Sequence, residues 1–170
     1  YSGMFCFLTS GSLVYTGVYG VAPKNFGYFF ILNIGVMMIA TFLGGRFVGR
    51  LGTERILRIG LWIQLIMGIY LAFCAFFHWG LWPSAIGIAL YVGMVSIISS
   101  NANAAVLELF PRTAGTANSL IGMFRFAIGA IIGAILALFS VKTEQPMLFA
   151  ITLCILISVG MYKGLVKSKR

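Results

Sequence analysis

Long apolar segments separated by short polar stretches follow one another along the whole chain. A helix that crosses a bilayer needs roughly 20 mostly apolar residues, and each of these segments is close to that length. They predict an all-α fold of six transmembrane helices with short connections and no soluble domain. The predicted spans are residues 1–22, 26–45, 57–77, 84–107, 114–138 and 147–166.

Turn-forming and polar residues mark the predicted connections. Pro23-Lys24-Asn25 predicts a turn, residues 46–58 an arginine-rich loop, and residues 140–146 a polar turn. The aromatic and proline-containing stretch HWGLWP, residues 78–83, is typical of a membrane interface. The lone histidine in it, His78, is expected to be solvated.

Composition supports the assignment to a membrane. Hydrophobic residues make up 61% of the 170 residues, only 9% are charged, and the mean hydropathy is +1.03. Soluble domains have about a quarter of their residues charged, so the surroundings of this chain must be largely lipid. The net charge of +9 does not indicate a nucleic-acid partner, because the basic residues lie in short connections and form no single patch.

The basic residues alternate between the two sides of the predicted membrane. Connections after the second, fourth and sixth spans hold nine of them, and connections after the first and third and fifth hold only Lys24 and Lys142. Short cytoplasmic loops are enriched in Lys and Arg. Both ends of the chain are therefore expected to be cytoplasmic.

No pattern of an enzyme, a cofactor or a metal site is present in the sequence. The three cysteines, Cys6, Cys74 and Cys154, lie in apolar runs without CxxC or Cys/His spacing. The predicted spans hold no paired acids, no HExxH and no Ser/His/Lys arrangement. We therefore expect no catalytic residues, no cofactor and no bound metal.

The arginine-rich segment GGRFVGRLGTERILR, residues 44–58, places glycines among arginines, which favours a tight turn between two helices. It resembles a degenerate copy of the cytoplasmic signature of the major facilitator superfamily, G-x-x-x-D-R-x-G-R-R. Gly45, Arg50 and Gly52 match that signature. Gly49 stands in the place of its Asp, and Thr53 and Glu54 in the place of its last two basic residues.

Three further segments strengthen this resemblance, and with them it covers essentially the whole chain. They are VAPKNFGYFFILNI (21–34), GLWIQLIMG (60–68) and ISSNANAAVLELFPRTAGTANSLIGMFRFAIGAIIGA (98–134). Together they resemble the C-terminal half of the bicyclomycin-resistance (Bcr/CflA) drug efflux family of that superfamily. The resemblance implies a twelve-helix protein of which this chain is the second half. An N-terminal six-helix half is then its partner.

The resemblance also implies a function. Proteins of this family export small, chemically varied drugs from the bacterial cytoplasm across the inner membrane, driven by protons, in an alternating-access cycle. It further implies that the first, second, fourth and fifth spans line the substrate cavity and that the third and sixth face lipid. Because no acidic residue lies within a predicted span, the acid that couples transport to protons is expected in the other half.

One charged residue lies deep within a predicted span. Arg125 is ten residues past Gly115, about 15 Å into a core of roughly 30 Å. A charge at that depth costs at least about 2.5 kcal/mol, so Arg125 is expected to face a water-filled cavity or a partner. Asn118, seven residues earlier, lies on nearly the same stripe. The alternative is an arginine satisfied by carbonyl groups at a helix break.

Three asparagines, Asn33, Asn101 and Asn103, also lie within predicted spans. We take Asn33 and Asn101, with Arg125 and Asn118, as candidates for the substrate cavity. The alternative is that these amides hydrogen-bond between helices and only hold the bundle together.

Small residues follow one side of the fifth span. Gly122, Gly129 and Gly133 lie on that side, and the last two form a GxxxG step. Such steps let two helices approach closely in lipid, so these glycines predict helix packing.

A cytoplasmic gate is expected where the second and fourth spans end. The resemblance implies that an arginine of the signature loop pairs with an acid at the end of the matching span, which here is Glu108. The candidates are Gly45, Arg46, Arg50, Gly52 and Glu108, with Glu108 expected to reach Arg46 or Arg50.

Two alternatives remain open at this point. The same fold could serve a symporter for organic anions or sugars, because fold does not determine cargo. A complete six-span membrane assembly subunit is an alternative of another class. The chain begins at Tyr1 within an apolar run and without Met, which predicts a cut through a longer protein.

Overall fold

The computed structural model describes residues 1–138 and 143–168, and every regular element in that part of the chain is helical. The main helices are α1 (Ser2–Leu13), α2 (Pro23–Leu51), α3 (Thr53–Phe77), α4 (Leu81–Leu109), α5 (Ala114–Ala137) and α6 (Gln145–Ser168). A π-helix, Val14–Val18, continues α1, and a 3₁₀ turn, Pro111–Thr113, precedes α5. The predicted all-α class is confirmed.

Five of these helices, α2 to α6, are each long and apolar enough to cross a membrane. The chain is therefore part of a multi-pass membrane protein. The 12 residues of α1 alone are too few to cross a membrane. The 5-residue π-helix continues α1 towards the next turn. Its buried residues include Cys6, Phe7 and Ser10, so α1 is a core element of the bundle.

The connection between α2 and α3 is much shorter than the expected loop over residues 46–58. The helix α2 continues through the arginines to Leu51, and α3 begins at Thr53, so Gly52 alone joins them. The φ of Gly52 is 78°, a conformation that glycine adopts without steric penalty. Hydropathy marks only the part of a helix that lies in lipid, whereas the helix itself continues into the headgroup layer, where charged side chains are solvated.

The turn expected at Pro23-Lys24-Asn25 is wrong. Pro23 is the first residue of α2, and the chain turns before it, at Gly20 with a φ of 67°. Proline fits the first turn of a helix because the N–H it lacks would have no intrahelical partner there. In the polar turn expected over residues 140–146, residues 140–142 lie outside the described part of the chain.

Packing in the bundle is centred on α3 and α4. The helix α4 packs against α3 and α2, α3 also packs against α6, and α1 packs against both α5 and α6. Side chains from α1, α3, α4 and α6 form the core, including Phe7, Leu71, Ile88, Leu148 and Ile151. Hydrogen bonds join Thr41 of α2 to Ser96 of α4 and Tyr19 to Ser84 at the start of α4.

Candidate substrate cavity

Arg125 of α5 contacts α4 and the start of α1. Its Nη2 donates a hydrogen bond to Asn103 Oδ1 at 2.9 Å, and its guanidinium carbon lies 4.1 Å from the centre of the Tyr1 ring. Side chains on a helix lean towards its N-terminus, so Arg125 reaches back towards the beginning of α5. The residue is partly buried. Three of the four helices expected to line the cavity therefore meet at this side chain.

The charge of Arg125 has no carboxylate partner among the described residues. The chain has only three acidic residues. Glu54 lies 3.8 Å from Arg58, Glu144 lies 2.7 Å from His78, and Glu108 is exposed at the end of α4. A guanidinium has five N–H donors, and Asn103 accepts from one nitrogen. The alternative of a broken helix does not apply, because α5 is continuous from Ala114 to Ala137.

Asn101 lies at a mostly apolar cavity between α2 and α4, together with residues of the signature segment. The cavity has a volume of about 290 Å³, and its lining is Thr41, Gly44, Gly45, Val48, Thr53, Ile97, Ser100, Asn101 and Ala104. The Asn101 amide is buried and donates to the carbonyl of Ile97 at 2.8 Å. The predicted cavity residue Asn101 and the predicted gate residue Gly45 thus line the same cavity.

The other two asparagine candidates lie apart from this cavity. Asn33 is buried and lines a smaller cavity of about 60 Å³, where its neighbours are Met4, Phe7, Leu8, Phe30, Ile34, Met37 and Val92. Asn118 is exposed on α5. The four predicted cavity residues therefore form no single cluster. The residue in contact with Arg125 is Asn103, which spacing along one helix could not identify because the contact joins two helices.

The glycines of α5 differ in how closely they pack against α1. A Cβ on Gly129 would lie 2.5 Å from the Phe5 ring, and one on Gly133 would lie 2.7 Å from Thr9 Oγ1, so both glycines pack directly against α1. A Cβ on Gly122 would meet nothing within 4 Å. Gly122 and the exposed Asn118 lie nearer to the N-terminus of α5 than Arg125, which contacts Tyr1.

The predicted gate residues lie together at one end of the bundle, which we call the arginine-rich end. Arg46, Arg50 and Glu108 are exposed there, and Gly45 and Ala104 line the same cavity, which places the ends of α2 and α4 side by side. Within the described residues, Glu108 has no ion pair with either arginine at 4.0 Å or less. The glycine that contacts α4 is Gly44, where a Cβ would lie 3.1 Å from Ile97.

His78 is exposed, as expected, but its ring also contacts a buried acid. His78 Nδ1 lies 2.7 Å from Glu144 Oε1, and Glu144 is only 5% exposed. The buried acid of the described chain is therefore Glu144, and Glu108, the acid expected at the gate, is exposed. Sequence reasoning missed this pair because 66 residues separate its members. Among the described residues, no group of three or more His, Cys, Asp or Glu side chains could hold a metal ion.

Comparison with known proteins confirms the resemblance. The family model of the major facilitator superfamily matches residues 1–134. The chain is 51% identical over 162 residues, 95% of its length, to a bicyclomycin resistance protein homolog of Haemophilus influenzae. It is 26% identical over 147 residues, 86% of its length, to the uncharacterized MFS-type transporter YdgK of Bacillus subtilis.

The chain spans about two fifths of the length of these curated relatives, 41% of the first and 36% of the second. No solved structure matches it. The family consists of transporters and not of enzymes, in agreement with the helical bundle and its apolar surface. The chain belongs to the major facilitator superfamily.

Proposed function

We propose that this chain is the C-terminal six-helix half of a proton-driven drug exporter of the bacterial inner membrane, with both of its ends in the cytoplasm. The relative that is 51% identical is named a bicyclomycin resistance protein homolog, which supports a drug as cargo. The substrate would bind near the middle of the bilayer between this half and an N-terminal half, and the two would rock against each other in an alternating-access cycle.

The observation that carries this proposal is the environment of Arg125. A guanidinium within a transmembrane helix, held by one neutral amide and one aromatic ring, still has donors and a charge to offer. Charged groups in membrane helices are typically found at substrate and ion pathways. Arg125 would bind either an acceptor group of the substrate or the coupling acid of the other half.

The arginine-rich end would form the cytoplasmic gate of this exporter. The ends of α2 and α4 are adjacent, and Glu108 is exposed beside them, with no ion pair to any residue that the structure describes. In the proposed cycle, Glu108 pairs with Arg46 or Arg50 in one conformation and separates from them in the other. Such an exposed pair contributes only about 0–1 kcal/mol, which is sufficient to shift a conformational equilibrium but not to hold a fold.

A symporter for organic anions or sugars is the second candidate function. The same Arg125 that could bind a drug carbonyl could also bind an organic anion, so this residue does not distinguish the two functions. The name of the 51% identical relative favours the drug. Membership of a transporter family weighs against a six-span assembly subunit.

The test of the proposed function is export by the full-length protein in inverted membrane vesicles. We expect uptake of labelled bicyclomycin when a proton gradient is imposed and loss of uptake when a protonophore collapses it. A panel of organic anions and sugars serves as the comparison. Proton-driven release of an anion or a sugar from preloaded vesicles, without any drug transport, would identify the protein as a symporter and contradict the exporter.

The role of Arg125 is tested in the same vesicles. We expect Arg125→Ala to lower export by much more than it lowers the amount of folded protein, and Arg125→Lys to retain part of the activity because it keeps the charge. Equal losses of export and of protein in Arg125→Ala would mean that the residue serves packing only.

The gate is tested with Glu108→Gln. We expect this variant to be present in the same amount as the wild type and to export more slowly, because one conformation loses its ion pair. Arg58→Gln, which removes the exposed partner of Glu54 on α3, is the matched control and should leave export unchanged. Unchanged export in Glu108→Gln would remove Glu108 from the gate.

A further inference from the structure

Four polar groups meet at the end of the bundle opposite to the arginine-rich end. His78 follows α3, Glu144 precedes α6, Gln145 is the first residue of α6, and the carbonyl of Ala75 lies in the last turn of α3. We call these four groups the His78 cluster. All of them belong to this half of the transporter, and they lie on the helices expected to face lipid, away from the substrate cavity.

Burial sets a strict requirement on the acid of this cluster. Glu144 is 5% exposed, and a buried carboxylate without a hydrogen-bond donor is costly. His78 meets this requirement, with Nδ1 at 2.7 Å from Glu144 Oε1. The side chain of His78 is itself 56% exposed, so protons reach its ring from the aqueous side.

The remaining contacts determine which nitrogen of His78 carries the proton. Gln145 Nε2 lies 3.3 Å from the Ala75 carbonyl and 3.3 Å from His78 Nε2. A carbonyl only accepts, which orients the Gln145 amide with its nitrogen towards Ala75. An amide nitrogen only donates, so His78 Nε2 must accept. The cluster therefore fits a neutral histidine with its proton on Nδ1, donated to Glu144.

Protonation of His78 would disturb this arrangement at one point. A second proton, on Nε2, would face the N–H groups of Gln145. To accept from it, the Gln145 amide must turn its oxygen towards the ring, and its nitrogen then leaves the Ala75 carbonyl. The contact between His78 and Glu144 becomes an ion pair in a buried site, while the side-chain bond between α6 and the last turn of α3 is lost.

We propose that the His78 cluster is a proton-binding site of this transporter, in which protonation of His78 switches Gln145 from Ala75 to the imidazole. In the proposed orientation the site faces the periplasm. Other titratable groups on the packed elements are Tyr70 and Cys74 on α3 and Tyr19, whose hydroxyl donates to Ser84 at 3.0 Å. Lys142 lies outside the described residues. None of Tyr19, Tyr70 and Cys74 is an ordinary proton carrier near neutral pH, which leaves His78 as the residue that switches.

The experiment is NMR of the full-length protein, labelled with ¹⁵N-histidine, in nanodiscs at about pH 8 and about pH 5, the range in which histidine changes charge. The signals of His78 are identified by their loss in His78→Gln. We expect the neutral tautomer with the proton on Nδ1 at the higher pH and the cation at the lower pH. The opposite tautomer, or an unchanged charge state across this range, would overturn the proposal.

Hydrogen exchange of the α3 end provides the second readout. After correction for intrinsic rates, amides of residues 74–81 are expected to exchange faster at the lower pH in the wild type. Gln145→Leu should exchange at the faster rate at both pH values, and Glu54→Gln, an exposed acid at the other end of α3, should behave as the wild type. The same pH effect in Gln145→Leu as in the wild type would contradict the switch; the wild-type spectra decide the question even if a variant fails to fold.

Discussion

The helices α4 and α5 are both long and apolar, yet the rest of the chain buries a much larger fraction of α4 than of α5. In the most apolar part of each helix, 56% of the α4 residues are buried but only 17% of the α5 residues, although α5 is the more apolar of the two. Hydropathy therefore indicates that a helix enters the membrane and says nothing about what covers it. Most of α5 must be covered by lipid or by the rest of the transporter.

The two helices are also held by different interactions. Within the described residues, α4 shares hydrogen bonds with Thr41 of α2, Gln64 of α3, Tyr19 and Arg125, which makes it the polar centre of the bundle. The described side chains of α5 reach another helix by one hydrogen bond, from Arg125, and otherwise by close glycine packing against α1. The comparison predicts that the packing of α5 is stabilised mainly by close steric fit and that the packing of α4 is stabilised by many small polar contacts.

The largest effect on stability is expected at the packed end of α5. In Gly129→Ala the new Cβ would lie 2.5 Å from the Phe5 ring, which a T-shaped contact with Phe126 restrains. Overpacking of this kind costs about 1–3 kcal/mol, so the melting temperature of the purified transporter should fall. Gly160→Ala in α6, where a Cβ meets nothing within 4 Å, is the matched control. Equal melting temperatures of the two variants would show that α5 does not depend on this contact.

An intermediate effect is expected where α4 and α5 share their hydrogen bond. Asn103→Ala removes the acceptor of Arg125 and should cost about 1 kcal/mol. In a double-mutant cycle with Arg125→Gln, the loss should be smaller when the arginine is already absent, because interacting residues are not additive. Additive losses in export and in melting temperature would show that the contact at 2.9 Å contributes nothing of its own.

The smallest effect is expected from one of the polar contacts of α4. Thr41→Val removes the hydrogen bond to Ser96 at 2.6 Å and keeps the shape of the side chain. Hydrogen bonds between membrane helices contribute on average about 0.6 kcal/mol. Thr16→Val, which removes only a bond to the carbonyl of Ser12 on the same segment, should cost less. A larger loss in Thr16→Val would contradict the role given to interhelical bonds.

The fold was predictable because the length of the apolar segments and the turn-forming residues between them are features of the local sequence. The all-α class could be inferred in this way, and so could the close packing of α5 at Gly129 and Gly133, although not at Gly122. The glycines among the arginines indicated a tight turn, but not that Gly52 alone forms it. The ends of the helices could not be predicted, because hydropathy indicates only the part of a helix that is embedded in lipid. The helix α2, for example, extends beyond its apolar part to Leu51.

The site was only partly predictable, because its contacts join distant helices. The depth of Arg125 was visible in the sequence, but its partner Asn103 depends on how α4 and α5 lie against each other. The pairing of His78 with Glu144 depends on the packing of α3 against α6. A solitary histidine and a loop acid carry no local signal of such a pair.

The central claim is that Arg125 faces a water-filled cavity in the assembled transporter. The most direct test is the labelling of single cysteines by a charged, membrane-impermeant thiol reagent in a cysteine-free full-length protein. We expect Arg125→Cys and Asn118→Cys to react and substrate to protect them, while Leu136→Cys, buried on α5, and Leu156→Cys, exposed on α6, which is expected to face lipid, do not react. An Arg125→Cys thiol that reacts no faster than these two controls would contradict the claim.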